Sequence, residues 1–153
     1  MRVVIMGCGR LGSTLARELD HEGHRVTVID VDSAAFNWLD DDFRGVTIVG
    51  AGEDVDVQQA AGVPAADIFL ALANGDNRNA MAVQVAKHIH GAPRVVARIY
   101  DPERADVYRQ LGINVVNPTT ILDEMVREAA FGQSGNPDLV VPDDAPDVSS
   151  EER

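Results

Sequence analysis

Three glycines, Gly7, Gly9 and Gly12, stand between a β-branched run and a helical segment, and this spacing constrains the fold more than any other feature of the chain. A Gly-x-Gly-x-x-Gly pattern carries meaning only in context. It needs a strand before it, a helix after it, and an acidic residue at the end of the next strand. All three are present. Arg2–Met6 (RVVIM) precedes the loop, Leu11–His21 follows it, and Asp30 closes the second run 23 residues after Gly7. Gly7 permits a tight turn. Gly9, without a Cβ, lets the backbone approach a pyrophosphate, and Gly12 lets the helix lie close to the sheet. The helix N-terminus offers unpaired N–H groups and partial positive charge to phosphate. Asp30 has the position of a ribose-hydroxyl acceptor, and Val31 follows it with no Arg nearby in sequence to take a 2′-phosphate. NAD/NADH or a plain adenine nucleotide is therefore expected rather than NADP. Arg10, inside the loop, can reach a phosphate of the bound nucleotide or of one held by a neighbouring subunit. The candidate contacts at this stage are Gly7, Cys8, Gly9, Arg10, Leu11, Gly12, Asp30 and Val31.

The rest of the chain repeats the alternation. Arg25–Ile29, Val46–Val49, Asp67–Leu72, Arg94–Arg98 and Ile113–Val116 read as strands. Ser33–Leu39, Val55–Ala61, Arg78–His88 and Pro102–Leu111 read as helices between them. Pro118–Phe131 is a last helix with Asn117 as candidate cap. The central runs are almost wholly apolar, as in parallel strands covered on both faces. The expectation is an α/β fold, a Rossmann-type doubly wound six-stranded parallel sheet in a single domain. Gly23, Gly45, Gly62, Gly91 and Gly112 fall at or near helix ends, where left-handed backbone suits glycine. Phe36 and Trp38 are expected to pack the second helical segment on the sheet. Met81, Val85 and Ile89, spaced i, i+4, are expected in the core first, with a dimer surface shared with the Pro118–Phe131 helix as the alternative for part of that face.

After Phe131 the composition changes. Residues 132–137 are turn-rich, and from Ser134 onward six acids face one base, which accounts for −5 of the net charge of −12. The domain division expected is a folded nucleotide-binding unit over 1–131 and a flexible acidic tail over 132–153. Such an acidic chain is poorly suited to nucleic acid or to an anionic membrane surface. No apolar run approaches the roughly 20 residues of a membrane span. The chain opens directly on a strand and holds one cysteine, Cys8, which fits a reducing cytoplasm.

An ordered set of motifs extends beyond the loop: Gly7-Cys8-Gly9-Arg10-Leu11-Gly12, Val28-Ile29-Asp30-Val31-Asp32, Gly75-Asp76-x-x-Asn79, Val96-Ala97-Arg98-x-x-Asp101-Pro102, Leu111-Gly112 and Asn117-Pro118. In this order they resemble the N-terminal regulatory domain of Trk/Ktr potassium-uptake systems, the RCK or KTN domain, over residues 1 to about 131. The resemblance implies a non-enzymatic cytoplasmic subunit that binds ATP, ADP, AMP, NAD or NADH. It further implies self-association as a homodimer or higher ring. The subunit would gate an integral-membrane potassium channel or transporter, lying at the inner face of the membrane through that partner. By motif match, Asp30 takes the ribose, Arg10 and Arg98 lie near phosphates, and Asn74, Gly75 and Asp76 line the mouth of the site. Three departures stand out. Gly50-Ala51-Gly52 lacks the family's Asp after the first Gly. Thr119 stands where some members place a cation-binding Glu, so no metal is carried over. The residues after 131 supply no second subdomain, which points to a stand-alone N-domain or a lost second ligand site.

Other residues invite chemistry but have plainer readings. Cys8 near a helix N-terminus suggests a lowered thiol pKa, against filler between two glycines. His88 and His90, two apart at a helix end, do not face each other and have no Cys or His partners. Asp40-Asp41-Asp42 lacks the spacing of a calcium loop. The competing function is an NAD-dependent oxidoreductase, which needs a substrate domain and an acid or base. No Ser/His/Asp set or Tyr-x-x-x-Lys arrangement accompanies the loop, and no catalytic residue is assigned. A passive adaptor is a third reading.

Overall fold

In the computed structural model, which describes residues 1–132, six strands form one sheet: β1 (Arg2–Met6), β2 (Arg25–Asp30), β3 (Val46–Val49), β4 (Ile68–Ala71), β5 (Val95–Arg98) and β6 (Val115–Val116). Their order is β3-β2-β1-β4-β5-β6, and every neighbouring pair is parallel. The doubly wound parallel sheet expected from the alternation is thus the observed one. The order reverses between β1 and β4, the topological switch point where ligands of open α/β sheets bind. The helices are α1 (Arg10–His21), α2 (Val55–Ala60), α3 (Asp76–Gln84), α4 (Pro102–Gln110) and α5 (Pro118–Phe131), with a 3-10 segment over Ser33–Trp38. The described chain falls into two units, Met1–Pro118 and the segment from Thr119 on, which holds all of α5 but its first residue. The tail expected after Phe131 lies, from 133 on, outside the described residues. None of the described helices is long and apolar enough to cross a membrane.

Side chains alternate across each strand, so β1 feeds both faces. Val3 and Ile5 join Val26 and Val28 under α1, with Leu15, Ala16, Leu19 and Phe36. Val4 and Met6 join Ile29, Phe69, Ala71 and Ala97 on the other face, covered by Ala80, Val83 and Ala86 of the third helix and Ala105 of the fourth. Small residues on α3 let it lie close to the sheet. Met81 is therefore not in the core, contrary to the i, i+4 reading, but 55% exposed. After Gln84 the helix continues as a π turn over Val85–Ile89, which shifts the register. Val85 stays buried and Ile89 turns outward. Trp38 departs for a similar reason. In a 3-10 segment residues three apart share a face. Phe36 and Leu39 pack on the core together, and Trp38 is left 57% exposed. Gly45 is not left-handed, whereas Gly23, Gly62, Gly91 and Gly112 are.

The strand-to-helix turn rests on two glycines. Gly7 has φ +102°, and a Cβ on it would lie 2.6 Å from the Ala73 nitrogen. A Cβ on Gly12 would lie 1.9 Å from the Gly7 carbonyl oxygen. Backbone faces backbone in both cases, so no rotamer change relieves the clash. Gly9 differs: its φ is −74°, and its Cβ would meet nothing within 4 Å. We expect Gly12→Ala to destabilise the fold by about 3 kcal/mol, through overpacking against backbone. Gly9→Ala should stay within about 0.5 kcal/mol of the parent, as surface changes usually do. Urea unfolding of the two variants checks this, and equal midpoints would contradict it.

Candidate functional site

At the carboxyl ends of the strands lies a cleft of about 870 Å³, lined from three directions. The glycine loop contributes Gly7 through Gly12. The end of β2 and the turn after it contribute Asp30, Val31, Asp32, Ala34, Ala35 and Trp38, with Gly50 and Gly52 beyond β3. The β4 and β5 ends contribute Ala73, Asn74, Arg78, Arg98 and Tyr100. Of the residues expected from sequence, ten line this cleft together: Gly7, Cys8, Gly9, Arg10, Leu11, Gly12, Asp30, Val31, Asn74 and Arg98.

Gly75 and Asp76 are not among the lining residues. Asp76 instead accepts the Tyr100 amide at 2.9 Å and the Asp101 amide at 3.0 Å, one on each carboxylate oxygen. It ties the start of α3 to the loop after β5, and so positions the cleft wall rather than facing the cavity. Asn79, 1% exposed, makes a second tie: its Nδ2 donates to the Ala73 carbonyl at 2.7 Å and the Arg98 carbonyl at 2.9 Å.

Helices α2 and α4 begin on Asp54 and Asp101, whose carboxylates accept the first free amides. Helix α1 begins on Gly9 with no side-chain cap. Its first-turn N–H groups have no intrahelical acceptor and border the cleft. An acceptor from outside the chain suits them, and the open space above Gly9 provides room for it.

Asp30 organises the floor. Its Oδ2 accepts the Cys8 amide at 2.7 Å and its Oδ1 accepts the Asp32 amide at 2.9 Å. The carboxylate thus locks the glycine loop to the end of β2, and each oxygen keeps a lone pair for a further donor. Cys8 is fully buried beside it. Burial, reinforced by the Asp30 charge, pushes its thiol up to about 11 from an ordinary 9.0. The suggestion of a lowered thiol pKa is therefore overturned: desolvation and a neighbouring anion outweigh the helix terminus.

Two cations border the cleft without carboxylate partners. Arg98 is 8% exposed, and its Nη2 donates to the Ala73 carbonyl at 3.2 Å and Asn74 Oδ1 at 3.4 Å. Its guanidinium lies 4.7 Å over the Tyr100 ring, while its buried Nε has no hydrogen-bond partner. Such an orphan donor inside a cavity fits a ligand that brings an acceptor. Arg10 is exposed and makes no ion pair among the described residues.

A third cation was not singled out by sequence. Arg78 projects from α3 into the lining, and Glu53 holds it by a two-pronged pair, Nε to Oε1 at 2.8 Å and Nη2 to Oε2 at 3.1 Å. The Arg78 hydrogen bond holds the Glu53 carboxyl below its ordinary 4.5. The pair raises the Arg78 pKa in turn, chiefly through the same hydrogen bond, with Asp30 adding to it at longer range. The partners lie 25 residues apart, and neither belongs to a recognisable motif. Trp38 and Tyr100 are aromatic lining residues that the sequence also did not assign to the site. Trp38 stands two residues after Phe36 in Ser33-Ala34-Ala35-Phe36-Asn37-Trp38, so the sequence alone did not separate a cleft aromatic from a packing one. No group of three or more His, Cys, Asp or Glu suited to a metal occurs among the described residues.

The sequence model of the TrkA-N domain matches residues 3–118. The chain belongs to the TrkA-N domain family. The TrkA-N match spans β1 through β6 and takes in every strand that shapes the cleft. Among curated proteins, this TrkA-N chain is 46% identical over 128 residues to the Trk system potassium uptake protein TrkA of Streptomyces coelicolor, covering 83% of this chain and 57% of that protein. Among solved structures, it is similar to the TrkA-N domain of the inner membrane protein ybaL from Escherichia coli, with TM-score 0.74, 17% identity, and 83% and 94% of the two chains covered. It is also similar to the Shewanella denitrificans Kef CTD in AMP-bound form, with TM-score 0.73, 24% identity, and 90% and 84% covered. These two likenesses establish the shared fold. The chain spans a little over half the length of its Streptomyces relative.

Cys8 is the only cysteine, so thiol labelling reads it alone. We expect a thiol-reactive probe at pH 8 to label the native chain far more slowly than the urea-unfolded chain. The linkage sign follows from the raised pKa: the buried neutral thiol favours the fold fully below pH 9.0, and this contribution is lost as pH rises to about 11. Equal labelling rates in the two states would show that Cys8 is accessible.

Proposed function

We propose that this chain is the nucleotide-sensing regulatory domain of a potassium-uptake system. In this reading the cleft receives an adenine nucleotide or dinucleotide: ATP, ADP, AMP, NAD or NADH. The observation that carries the reading is the uncapped start of α1 beside a buried arginine with an unused donor, over a carboxylate that already shapes the loop. Phosphate lies at the glycine loop, met by the α1 amides with Arg98 and Arg10 nearby, and the ribose donates to Asp30. Asp30 disfavours a 2′-phosphate by charge, which favours NAD over NADP. Support for the potassium role comes from the name of the Streptomyces relative, and support for a nucleotide from the AMP in the Shewanella structure.

The domain acts as a sensor rather than an enzyme. The cleft lining contains no His or Lys, and its one thiol is held protonated. General acid–base work calls for a group that titrates near the working pH. A sensor needs only a ligand with different affinity for two shapes of the protein. Residues 1–131 constitute this domain. Its partners are a second copy of the chain and an integral-membrane potassium channel or transporter, which places it at the cytoplasmic face. Ile121, Leu122, Met125 and Val126 of α5, spaced to share one stripe, provide an apolar surface suited to self-association.

Calorimetric titration of the purified chain with ATP, ADP, AMP, NAD and NADH tests the site. We expect at least one to bind, and Asp30→Ala to weaken it about tenfold or more, as loss of a hydrogen bond to a charged group does. Asp30 also braces the loop, so Gly9→Ala serves as the second variant. It should keep the parent's stability and lose affinity, because its methyl fills only the space above the loop. Absence of binding to all five ligands, or indifference to both substitutions, would overturn the assignment. Turnover of NADH with a small substrate would favour the oxidoreductase reading, and a strict monomer by light scattering would remove self-association.

A further inference from the structure

A purine in the cleft needs contacts that the loop after β3 does not supply. That loop reads Gly50-Ala51-Gly52, and it brings no polar side chain to the lining. Apart from Cys8, Arg10, Asn74, Arg98 and Tyr100, the polar side chains of the lining are Asp30, Asp32, Trp38 and Arg78. Asp30 is the ribose acceptor of the proposed function, and Asp32 accepts the Ala34 amide at 2.9 Å. Trp38 and Arg78 remain. They reach the cleft from opposite faces of the sheet. Trp38 follows Phe36, which packs under α1, and Arg78 precedes Ala80 and Val83, which pack on the other face. The indole is 57% exposed and the Arg78 side chain 41% exposed, so both offer surface to a ligand. Glu53 fixes the guanidinium through Nε and Nη2, leaving Nη1 and the flat faces uncommitted. A clamped guanidinium and an indole are the side chains on which bases stack.

Resting on the nucleotide reading above, we propose that Trp38 and Arg78 are the base-contacting residues of the cleft, with Glu53 as the positioning residue that holds Arg78 in place. The purine is read by an indole and a guanidinium, and the β3 loop only leaves room for it. Glu53 acts through Arg78 and does not touch the ligand. Its charge also keeps the Arg78 cation from acting as a free phosphate site, which leaves phosphate to the glycine loop, Arg98 and Arg10.

The test compares AMP with ribose 5-phosphate, which shares its sugar and phosphate but has no base. Trp38 is the chain's only tryptophan, so its emission reports on this position directly. We expect AMP to change Trp38 emission and ribose 5-phosphate to leave it nearly unchanged. We expect Arg78→Met combined with Glu53→Gln, which removes both charges and leaves neither uncompensated, to weaken AMP about tenfold by calorimetry, in line with the loss of one stacking partner. Ribose 5-phosphate should bind this variant as it binds the parent, which shows that the site is folded. Trp38→Leu should behave likewise. Glu53→Gln alone should weaken AMP less than the double variant, since Arg78 is then present but loosely held. Unchanged AMP affinity in the variants, or an equal loss for both ligands, would overturn the assignment of the base contacts while leaving the cleft as a nucleotide site. Failure of the parent chain to bind AMP or any other adenine nucleotide would overturn the nucleotide reading and this inference together.

Discussion

The close approach of Gly12 to the Gly7 carbonyl is the contact on which the rest of the site depends. A side chain on Gly12 would stand 1.9 Å from that oxygen, so any other residue pushes α1 away from β1. The first-turn amides of α1 would then move off the cleft axis, and the Cys8 amide would move off Asp30. The loop is held by short polar contacts, each worth on the order of 1 kcal/mol, and none of them can offset a backbone overlap. Helix placement therefore comes first, and the hydrogen bonds of the cleft are arranged on it.

Asp30 shows how one side chain serves both architecture and ligand. Its two bonds to backbone amides fix the turn before any ligand arrives. A carboxylate has about four acceptor positions, so the ribose hydroxyls of the proposed ligand would add to these bonds rather than displace them. Cys8 fits the same logic. A thiolate beside Asp30 would place a second negative charge under the phosphates. Burial and the Asp30 charge together keep the thiol neutral through the physiological range. The glycine loop thus adds no anion of its own beside Asp30.

The sheet was legible in the sequence because its signals are local. Arg2–Met6 and Val46–Val49 match the observed strands residue for residue, and the remaining strand limits differ by one or two residues. The glycine loop was legible for the same reason, since turn, close approach and helix start fall within six consecutive residues. Legibility failed where position depends on how an element rotates. Met81 and Ile89 were placed in the core by an i, i+4 rule that assumes an unbroken α-helix. The π turn over Val85–Ile89 and the alanine-rich face of α3 decide otherwise. Trp38 was placed by assuming an α-helix where a 3-10 segment forms. Arg78 and Glu53 were missed because their meaning is tertiary: each is an ordinary charged residue until the sheet order brings the loop after β3 beside α3. Asp76 was found but misplaced, because a motif conveys that a carboxylate matters and not whether it faces the cavity or the backbone behind it.

Charge accounts for how a chain of net −12 can still receive an anion. The three cations of the cleft are held in three different ways. Glu53 neutralises Arg78, so that position contributes shape and donors more than net charge. Arg98 is buried against Tyr100, Ala73 and Asn74, none of which sets a carboxylate against it. Arg10 stands in solvent without a carboxylate partner among the described residues, where screening weakens it. The α1 terminus and Arg98 both border the cleft, and the two glycines set the first of them. Under the proposed function a phosphate would sit with them, away from the Asp30 and Asp32 carboxylates and from the cation that Glu53 neutralises. If the proposed contacts hold, the same arrangement would orient a nucleotide, with phosphate toward Arg98 and base toward Trp38 and Arg78, before any contact specific to the base is made.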